Sequence, residues 1–337
     1  MSRPFLTVLT APIHSAPARA YRGARRLLRH VVKPGVPLPQ TSPYPGHFAL
    51  VRSVVEGLRE IRADFNFNPA SFGDLARVVY APANEALRQA ADLKRRGVVD
   101  YLVAGPVNAL FADECDSILQ LPEIDLVIIP SEWTRDFYRD VPSLSAKSRV
   151  CPCGVDVTYW RPTGRRKDQA AVVYWKNGEE RFCEEVEAIV RRYGLEALRV
   201  RSRHGEHRIF TPTDYRDLLD GSAIAVFLSA FETQGIALAE AWSMNVPTLV
   251  WDPRGDAEWR GRSFTSGSSA PYLTPATGEA FRAIDELEPA LERTLRSLGC
   301  FQPREWVVAN MTDAVCSQRL YELIKEEAGR AGRSALA

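Results

Sequence analysis

Two glutamates separated by seven residues are the side chains of this sequence best suited to chemistry. Glu232 lies just ahead of an apolar segment, and Glu240 lies within it. An ionised carboxylate accepts strong hydrogen bonds from hydroxyl groups, so this pair suits the binding of a ribose or a sugar. Because an unpaired glutamate is costly to bury, Glu240 on an apolar helix indicates a ligand partner. The alternative is that an internal Arg or Lys neutralises Glu240 and that Glu232 is a solvated loop residue.

The segments around the two glutamates predict where these side chains are placed. Residues 223–228 form a short apolar run, which predicts a strand buried on both faces, as in a parallel sheet. Residues 236–244 are apolar almost all round, which predicts a buried helix that ends at Asn245 and Pro247. Residues 248–251 resume as a second buried strand. Open α/β sheets bind their ligands at such strand ends.

The start of this predicted helix adds a second kind of binding group. Backbone N–H groups there point outward at the positive end of the helix dipole, which favours a phosphate. The residues that supply them are Gln234, Gly235, Ile236 and Ala237.

The order of residues in this region resembles the Glu-x7-Glu motif of retaining glycosyltransferases of the two-Rossmann-domain (GT-B) kind, and in particular glycosyltransferase family 4. The residues that match the pattern in order are Ser229, Glu232, Gly235, Glu240, Ala241, Asn245, Val246 and Pro247. The resemblance implies that Glu240 binds the ribose of a sugar-nucleotide donor and that Glu232 holds a sugar hydroxyl. It also implies a front-face reaction in which the leaving phosphate helps to deprotonate the acceptor.

Cations for the donor diphosphate are expected where an apolar run, residues 170–175, gives way to a predicted helix over residues 179–193. A fixed cation there stabilises the negative charge that the leaving diphosphate gains. The family carries an Arg and a Lys at similar spacing, and here Lys176 and Arg181 stand in the reverse order. Lys176 at the strand end is the better candidate, whereas Arg181 fits a surface position on the helix equally well.

The resemblance assigns three further residues. Gly46 and His47 end a Pro-rich segment ahead of a predicted helix, as in the family's N-terminal glycine loop, although one glycine stands where two are common. His47 could assist the chemistry or cap the helix. Arg203 opens the polar turn that follows a predicted strand over residues 198–202, near the family's nucleotide base, and a solvated basic loop is the alternative.

Strand–helix alternation along the chain predicts two parallel α/β layers. With the resemblance, it predicts the GT-B architecture, two Rossmann-like parallel-sheet domains that face an inter-domain cleft. Residues 1–153 form a shortened acceptor-side domain, and residues 154–328 form the donor domain, whose last helix (313–327) is expected to cross back. Residues 329–337 are a predicted tail. No helix is expected between the polar turn and the strand at 223. Residues 254–278 are expected to be a loop, followed by a helix over residues 279–298.

Composition bounds the class of protein. The chain has 337 residues, 45% of them hydrophobic, and a net charge of +1, which is typical of a soluble globular protein with room for two domains. No apolar run approaches the length of a membrane span, and no secretory signal is evident. Six scattered cysteines predict free thiols in the cytoplasm. No Asp-x-Asp pair follows a strand, so neither a metal nor a separate cofactor is expected.

The N-terminal region carries an uneven charge, with eight basic residues and no acidic one in residues 1–55. Residues 20–32 could form a basic amphipathic helix that rests on anionic lipid at the inner face of the membrane. Alternatively, that helix packs on its domain with solvated arginines. No aromatic platform accompanies the charge, which argues against nucleic acid as a partner.

Two functions of different classes fit these patterns. The first is a retaining, hexosyltransferase-like glycosyltransferase that moves a sugar from a nucleotide-diphosphate donor to an unknown glycan, lipid or small-molecule acceptor. The second is a catalytically silent module of the same architecture that binds a nucleotide sugar or a partner. The shortened first domain and the single glycine favour the second. Binding without turnover would distinguish it from the enzyme.

Overall fold

The computed structural model describes residues 3–14, 48–107, 109–165, 167, 169–201 and 210–334. These residues divide into two compact units, each built on its own parallel sheet. Unit 1 takes its described residues from Met1–Ile129, Tyr138–Cys151 and Ser317–Ala337. Unit 2 takes them from Pro130–Phe137 and Pro152–Cys316.

The strands and helices are numbered in chain order. The strands are β1 (Leu6–Val8), β2 (Phe65–Phe67), β3 (Val78–Ala81), β4 (Tyr101–Ala104), β5 (Leu126–Ile129), β6 (Ser148–Val150), β7 (Ala170–Trp175), β8 (Glu196–Arg201), β9 (Ser222–Leu228), β10 (Thr248–Trp251), β11 (Asp256–Trp259), β12 (Arg262–Thr265) and β13 (Gly278–Phe281). The helices are α1 (Phe48–Glu60), α2 (Asn84–Arg95), α3 (Glu132–Phe137), α4 (Pro142–Ser145), α5 (Glu180–Arg192), α6 (Pro212–Gly221), α7 (Ile236–Ser243), α8 (Ile284–Arg296), α9 (Pro303–Asn310) and α10 (Asp313–Ser334). Short helical turns lie at Phe72–Asp74, Glu114–Ser117, Ile118–Gln120 and Leu298–Cys300.

Unit 1 contains a sheet of six strands among its described residues, in the order β2-β1-β3-β4-β5-β6, and their pairings are parallel. All four residues of β3, of β4 and of β5 are buried, as expected for a parallel sheet covered on both faces. Helix α1 turns Val51, Val54 and Leu58 inward, which fits the spacing of an amphipathic helix.

Unit 2 contains a second parallel sheet, with the order β13-β10-β9-β7-β8. The chain passes from β7 outward to β8 and then returns across β7 to β9. The direction of strand order therefore reverses between β7 and β9. In open α/β sheets, this reversal opens a crevice outside the carboxyl ends of the two strands.

Helices cover both faces of the sheet in unit 2. Side chains of α5 and α8 pack with Trp175 on one face. Those of α6, α7 and α9 pack with Tyr174 and Phe227 on the other face. Burial of this much aliphatic and aromatic surface on both faces fixes the strand ends relative to one another.

Four expectations are wrong in detail, three for unit 2 and one for the end of the last helix. A helix, α6, does lie between β8 and β9, and its first turn is closed by a capping box between Thr211 and Asp214. Residues 254–278 are not a plain loop, because β11 and β12 form an antiparallel hairpin within them. A strand, β13, takes the start of the helix expected from residue 279, so that α8 begins at Ile284. The last helix, α10, continues past residue 327 to Ser334.

Candidate active site

Two of the predicted site residues meet at the reversal point of the unit 2 sheet. Lys176 directly follows β7, and Glu232 lies in the loop that follows β9. Lys176 Nζ donates a hydrogen bond to Glu232 Oε1 at 2.7 Å, and the two side chains are 19% and 16% exposed. At these exposures each charged group still contacts solvent, so both charges are accessible to a ligand. The structure thus brings a cation and a carboxylate together where this class of sheet binds ligands.

Short hydrogen bonds fix the two strand ends that carry this pair. Lys176 N donates to Leu228 O at 3.0 Å, which continues the ladder between β7 and β9. Asn177 Oδ1 accepts a hydrogen bond from Ala230 N at 2.6 Å. Sequence analysis missed Asn177, although an Asn beside Gly178 (φ +102°) is typical of a turn whose side chain bonds the backbone.

Both backbone groups of Glu232 are bonded to distant parts of unit 2. Glu232 N donates to Ser268 O at 3.1 Å. The indole Nε1 of Trp133 donates to Glu232 O at 2.9 Å. Neither partner was predicted, because nothing local in the sequence links residue 232 to residues 133 and 268.

The helix that follows, α7, begins at Ile236, directly after Gly235, as the sequence predicts. Gly235 has φ +80°, a conformation that favours glycine, and a Cβ added there would also displace Leu238 Cδ1, which lies 2.8 Å from its place. No described side chain caps the start of α7. Its opening N–H groups, at Ile236 and Ala237, therefore lack the side-chain acceptor that Thr211 gives to α6.

Gln234 uses its side chain to tie this loop down. Its Oε1 accepts from Cys153 N at 3.0 Å, and its Nε2 donates to Cys153 O at 2.8 Å. The side chain is buried, and both halves of the amide are paired. Gln234 was predicted for its backbone N–H alone, and the structure gives its side chain an anchoring role.

Glu240 lies half-buried in the second turn of α7. Burial raises the pKa of the Tyr215 phenol well above its ordinary 10.0, and the nearby Tyr174 and Glu240 raise it further. Tyr215 therefore stays protonated, and its hydroxyl donates to Ala237 O at 3.0 Å. This bond ties α6 to the first turn of α7.

The remaining predicted residues are placed as follows. Arg181 is exposed in the first turn of α5. Gly46, His47 and Arg203 lie outside the described residues. Among the residues that the structure describes, no group of three or more His, Cys, Asp or Glu side chains could hold a metal ion. Within the same ranges, every helix is too short or too polar to cross a membrane.

Sequence comparison finds no matching protein-family model and no matching curated protein. Structure comparison finds similar solved structures. One is Anabaena HepE in complex with UDP and glucose, with a TM-score of 0.57 and 12% identity over 96% of this chain and 100% of that chain. A second is sucrose-phosphate synthase from Thermosynechococcus elongatus, with a TM-score of 0.54 and 14% identity over 96% and 99% of the two chains. A third is the lipopolysaccharide outer core galactosyltransferase WaaB in its apo form, with a TM-score of 0.54 and 12% identity over 96% and 99%.

These similarities extend over nearly the whole of each chain, at sequence identities that carry information on the fold alone. Two α/β units, each with a parallel sheet, are present in this chain. The chain therefore has the two-domain, Rossmann-like GT-B fold expected from the sequence.

Proposed function

We propose that this protein is a retaining glycosyltransferase, resembling family 4, that moves a sugar from a nucleotide-diphosphate donor to an acceptor. The observation that carries the proposal is the meeting of Lys176 and Glu232 at the reversal point between β7 and β9. The Lys176 ammonium lies in the loop after β7, and the Glu232 carboxylate lies in the loop after β9. That second loop leads into the start of α7, which has no side-chain cap. A diphosphate bonded to a sugar needs this combination of charges.

Each residue has a role in the proposed reaction. Lys176 and the N–H groups at residues 234–237 bind the diphosphate, Glu240 binds the ribose, and Glu232 holds a sugar hydroxyl. Breaking the bond between the anomeric carbon and the diphosphate oxygen leaves negative charge on that oxygen. A fixed cation and an oriented helix end stabilise this charge more than they stabilise the intact donor, which accelerates the step.

Retention of configuration follows if the acceptor attacks from the face that the diphosphate leaves. The acceptor oxygen then bonds to the anomeric carbon, and its proton passes to the departing phosphate oxygen. None of these steps needs a metal. The proposal therefore includes activity in the presence of EDTA and a product with the donor's anomeric configuration, which NMR of the product measures.

The test is sugar transfer, or donor hydrolysis, by the purified protein. Related folds were solved with UDP, UDP-glucose and ADP, so the donor screen begins with UDP-glucose and ADP-glucose. We expect Lys176→Ala and Glu240→Ala each to lower kcat/KM by about 10²-fold or more. Lys94→Ala is a matched control, because Lys94 is also 19% exposed and ion-paired but lies in unit 1. Activity near wild type in both site variants would refute these assignments.

The binding of a nucleoside diphosphate tests the role of Arg181. If Arg181 binds the diphosphate, Arg181→Ala weakens this binding as Lys176→Ala does. If it is a surface residue, the variant matches wild type.

The catalytically silent module is the second candidate. It is favoured by one observation, that Lys176 and Glu232 pair with each other and so balance each other's charge. A thermal-shift screen of sugar nucleotides, followed by a product assay, separates the two candidates. A rise in melting temperature with no turnover of any donor would support the silent module.

The basic N-terminal segment, residues 20–32, lies outside the described residues, and its charge bears on where in the cell the protein acts. We propose that it holds the protein at the cytoplasmic face of a membrane through anionic lipid. Vesicles with and without phosphatidylserine test this: sedimentation of the protein only with the anionic vesicles is expected, and no sedimentation with either would refute it.

A further inference from the structure

The segment Pro130–Phe137, here called the arm, contains α3 and packs within unit 2 although it directly follows β5 of unit 1. Three contacts hold it. Tyr272 donates from its hydroxyl to Pro130 O at 2.6 Å. The rings of Phe137 and Phe264 meet edge to face with centroids 5.7 Å apart. The third contact is the hydrogen bond from Trp133 to Glu232 O.

Trp133 of the arm packs closely against Gly267. A Cβ added at Gly267 would lie 2.7 Å from Trp133 Cβ, so only a glycine allows this approach. The ring of Phe137 meets the Trp133 ring edge to face at 6.4 Å. The indole is half-buried, and its position is therefore set by packing as well as by its hydrogen bond.

Three hydrogen bonds hold Glu232. Its N–H is bonded to Ser268 O, its carbonyl to Trp133 Nε1, and its carboxylate to Lys176 Nζ. Residue 232 belongs to a loop, where the backbone would otherwise rotate between several conformations. A shift of the residue 232 backbone would carry its Cβ, and with it the carboxylate, to a new place. The indole hydrogen bond, together with the bond to Ser268 O, opposes that shift.

We propose that Trp133 is a positioning residue, which fixes the backbone of Glu232 and thereby the place where its carboxylate meets the sugar of the donor. The inference rests on the proposed glycosyl transfer. A misplacement of about 1 Å can cost roughly 10²-fold in rate, so one lost orienting bond has a measurable effect. Trp133 acts through Glu232 and contacts no reacting group itself.

The test compares Trp133→Phe with Trp251→Phe. Trp251 Nε1 donates to Arg282 O at 3.0 Å, so each variant loses one indole-to-carbonyl hydrogen bond and the same side-chain volume. In Trp133→Phe we expect kcat to fall roughly tenfold, while the Kd for UDP and the melting temperature stay equal to those of Trp251→Phe. Hydrogen–deuterium exchange of the peptide covering residues 229–234 is expected to rise in Trp133→Phe alone. In Gly267→Ala the added Cβ would displace Trp133, so this variant is expected to show the same fall in kcat and the same rise in exchange.

The outcomes separate this inference from the proposed function. A kcat and an exchange rate in Trp133→Phe that match Trp251→Phe, with Glu232→Gln impaired, would overturn the positioning role alone. If Glu232→Gln and Lys176→Ala transfer sugar as wild type does, the proposed function fails. If no donor is turned over, the exchange readout still decides whether Trp133 holds residue 232.

Discussion

Replacing Glu232 by glutamine is expected to tighten the binding of a nucleoside diphosphate while it slows sugar transfer. The ammonium of Lys176 is bonded to the Glu232 carboxylate at 2.7 Å. A diphosphate that uses Lys176 must compete with this carboxylate and is also repelled by it. Glutamine has nearly the same shape and removes the negative charge, so Lys176 becomes available to the phosphates. The sugar loses its ionised acceptor in the same variant.

The size of the effect follows from the exposure of the pair. Unit charges about 4 Å apart attract by roughly 4 kcal/mol at an effective dielectric constant near 20, before the loss of hydration is counted. Fully exposed pairs retain only about 0.2–1 kcal/mol. At 19% and 16% exposure the pair lies between these limits, and we take about 1.4 kcal/mol, which is tenfold in Kd. We expect the Kd for UDP to fall roughly tenfold and kcat to fall by about 10²-fold.

Isothermal titration calorimetry with UDP at low salt measures the binding, and a coupled assay of released UDP measures the transfer. Asp125→Asn is the matched control, because it removes one half-buried carboxylate that is paired with a lysine, Lys94, in unit 1. Its Kd for UDP should equal that of wild type. Added salt should reduce the gain in Glu232→Gln, since the released charge is partly exposed.

Two results would refute the reasoning. If Glu232→Gln binds UDP no better than wild type, the ion pair does not compete with the phosphates. If the gain persists unchanged in a Lys176→Met background, it does not act through Lys176. A coupling between the two substitutions of about 1 kcal/mol or more is what direct contact requires.

Three further substitutions test the described structure through the free energy of unfolding in urea. Gly235→Ala and Gly194→Ala, both at positive φ (+80° and +78°), should each cost about 1–2 kcal/mol, but only Gly235→Ala, which sits at the start of α7, should lower transfer; normal transfer in Gly235→Ala would refute the role of Gly235. Burial lowers the pKa of Lys167 from 10.5 to about 8, so between these values the unfolded chain binds more protons and wild type should gain stability over Lys167→Met as pH rises, by at most about 1.4 kcal/mol per unit; a flat difference from pH 7 to 10 would contradict this. Thr294 is fully buried and its Oγ1 has no hydrogen-bond partner, so Thr294→Val should stabilise the protein by about 1 kcal/mol with unchanged transfer, and a loss of stability would show that the hydroxyl is satisfied.

The elements that carry the candidate site could be predicted because their sequence patterns are local. Apolar runs at residues 170–175, 223–228 and 248–251 are the buried strands β7, β9 and β10. The apolar segment after Gly235 is the buried helix α7, which ends at Ser243, just before the stop that the sequence predicts at Asn245, where φ is positive. Burial on both faces removes the polar alternation that makes other strands ambiguous, so these runs identify a parallel sheet directly.

Other elements were missed because polar residues or short spans hide them. Strand β1 lies inside the unit 1 sheet, but Thr7 interrupts its apolar run, and the Thr7 hydroxyl is satisfied there by Asn66 and Ala76 N. The signal for α6 was present in the capping residues Thr211 and Asp214 and was not used. For the hairpin of β11 and β12, the signal was the pair Arg260-Gly261. Both residues have positive φ and form the two-residue turn between the strands.

The geometry of Glu232 has a cause of another kind. The Glu-x7-Glu spacing supplies two carboxylates at a strand end, but spacing along the chain does not determine where the first one points. Its backbone is held by Trp133 and Ser268 and its carboxylate by Lys176, which are far from residue 232 in the sequence and reach it only after unit 2 has folded. Substitutions that leave the motif intact can therefore abolish its chemistry, and a chain that carries the motif without such partners would retain the carboxylate and lose its placement.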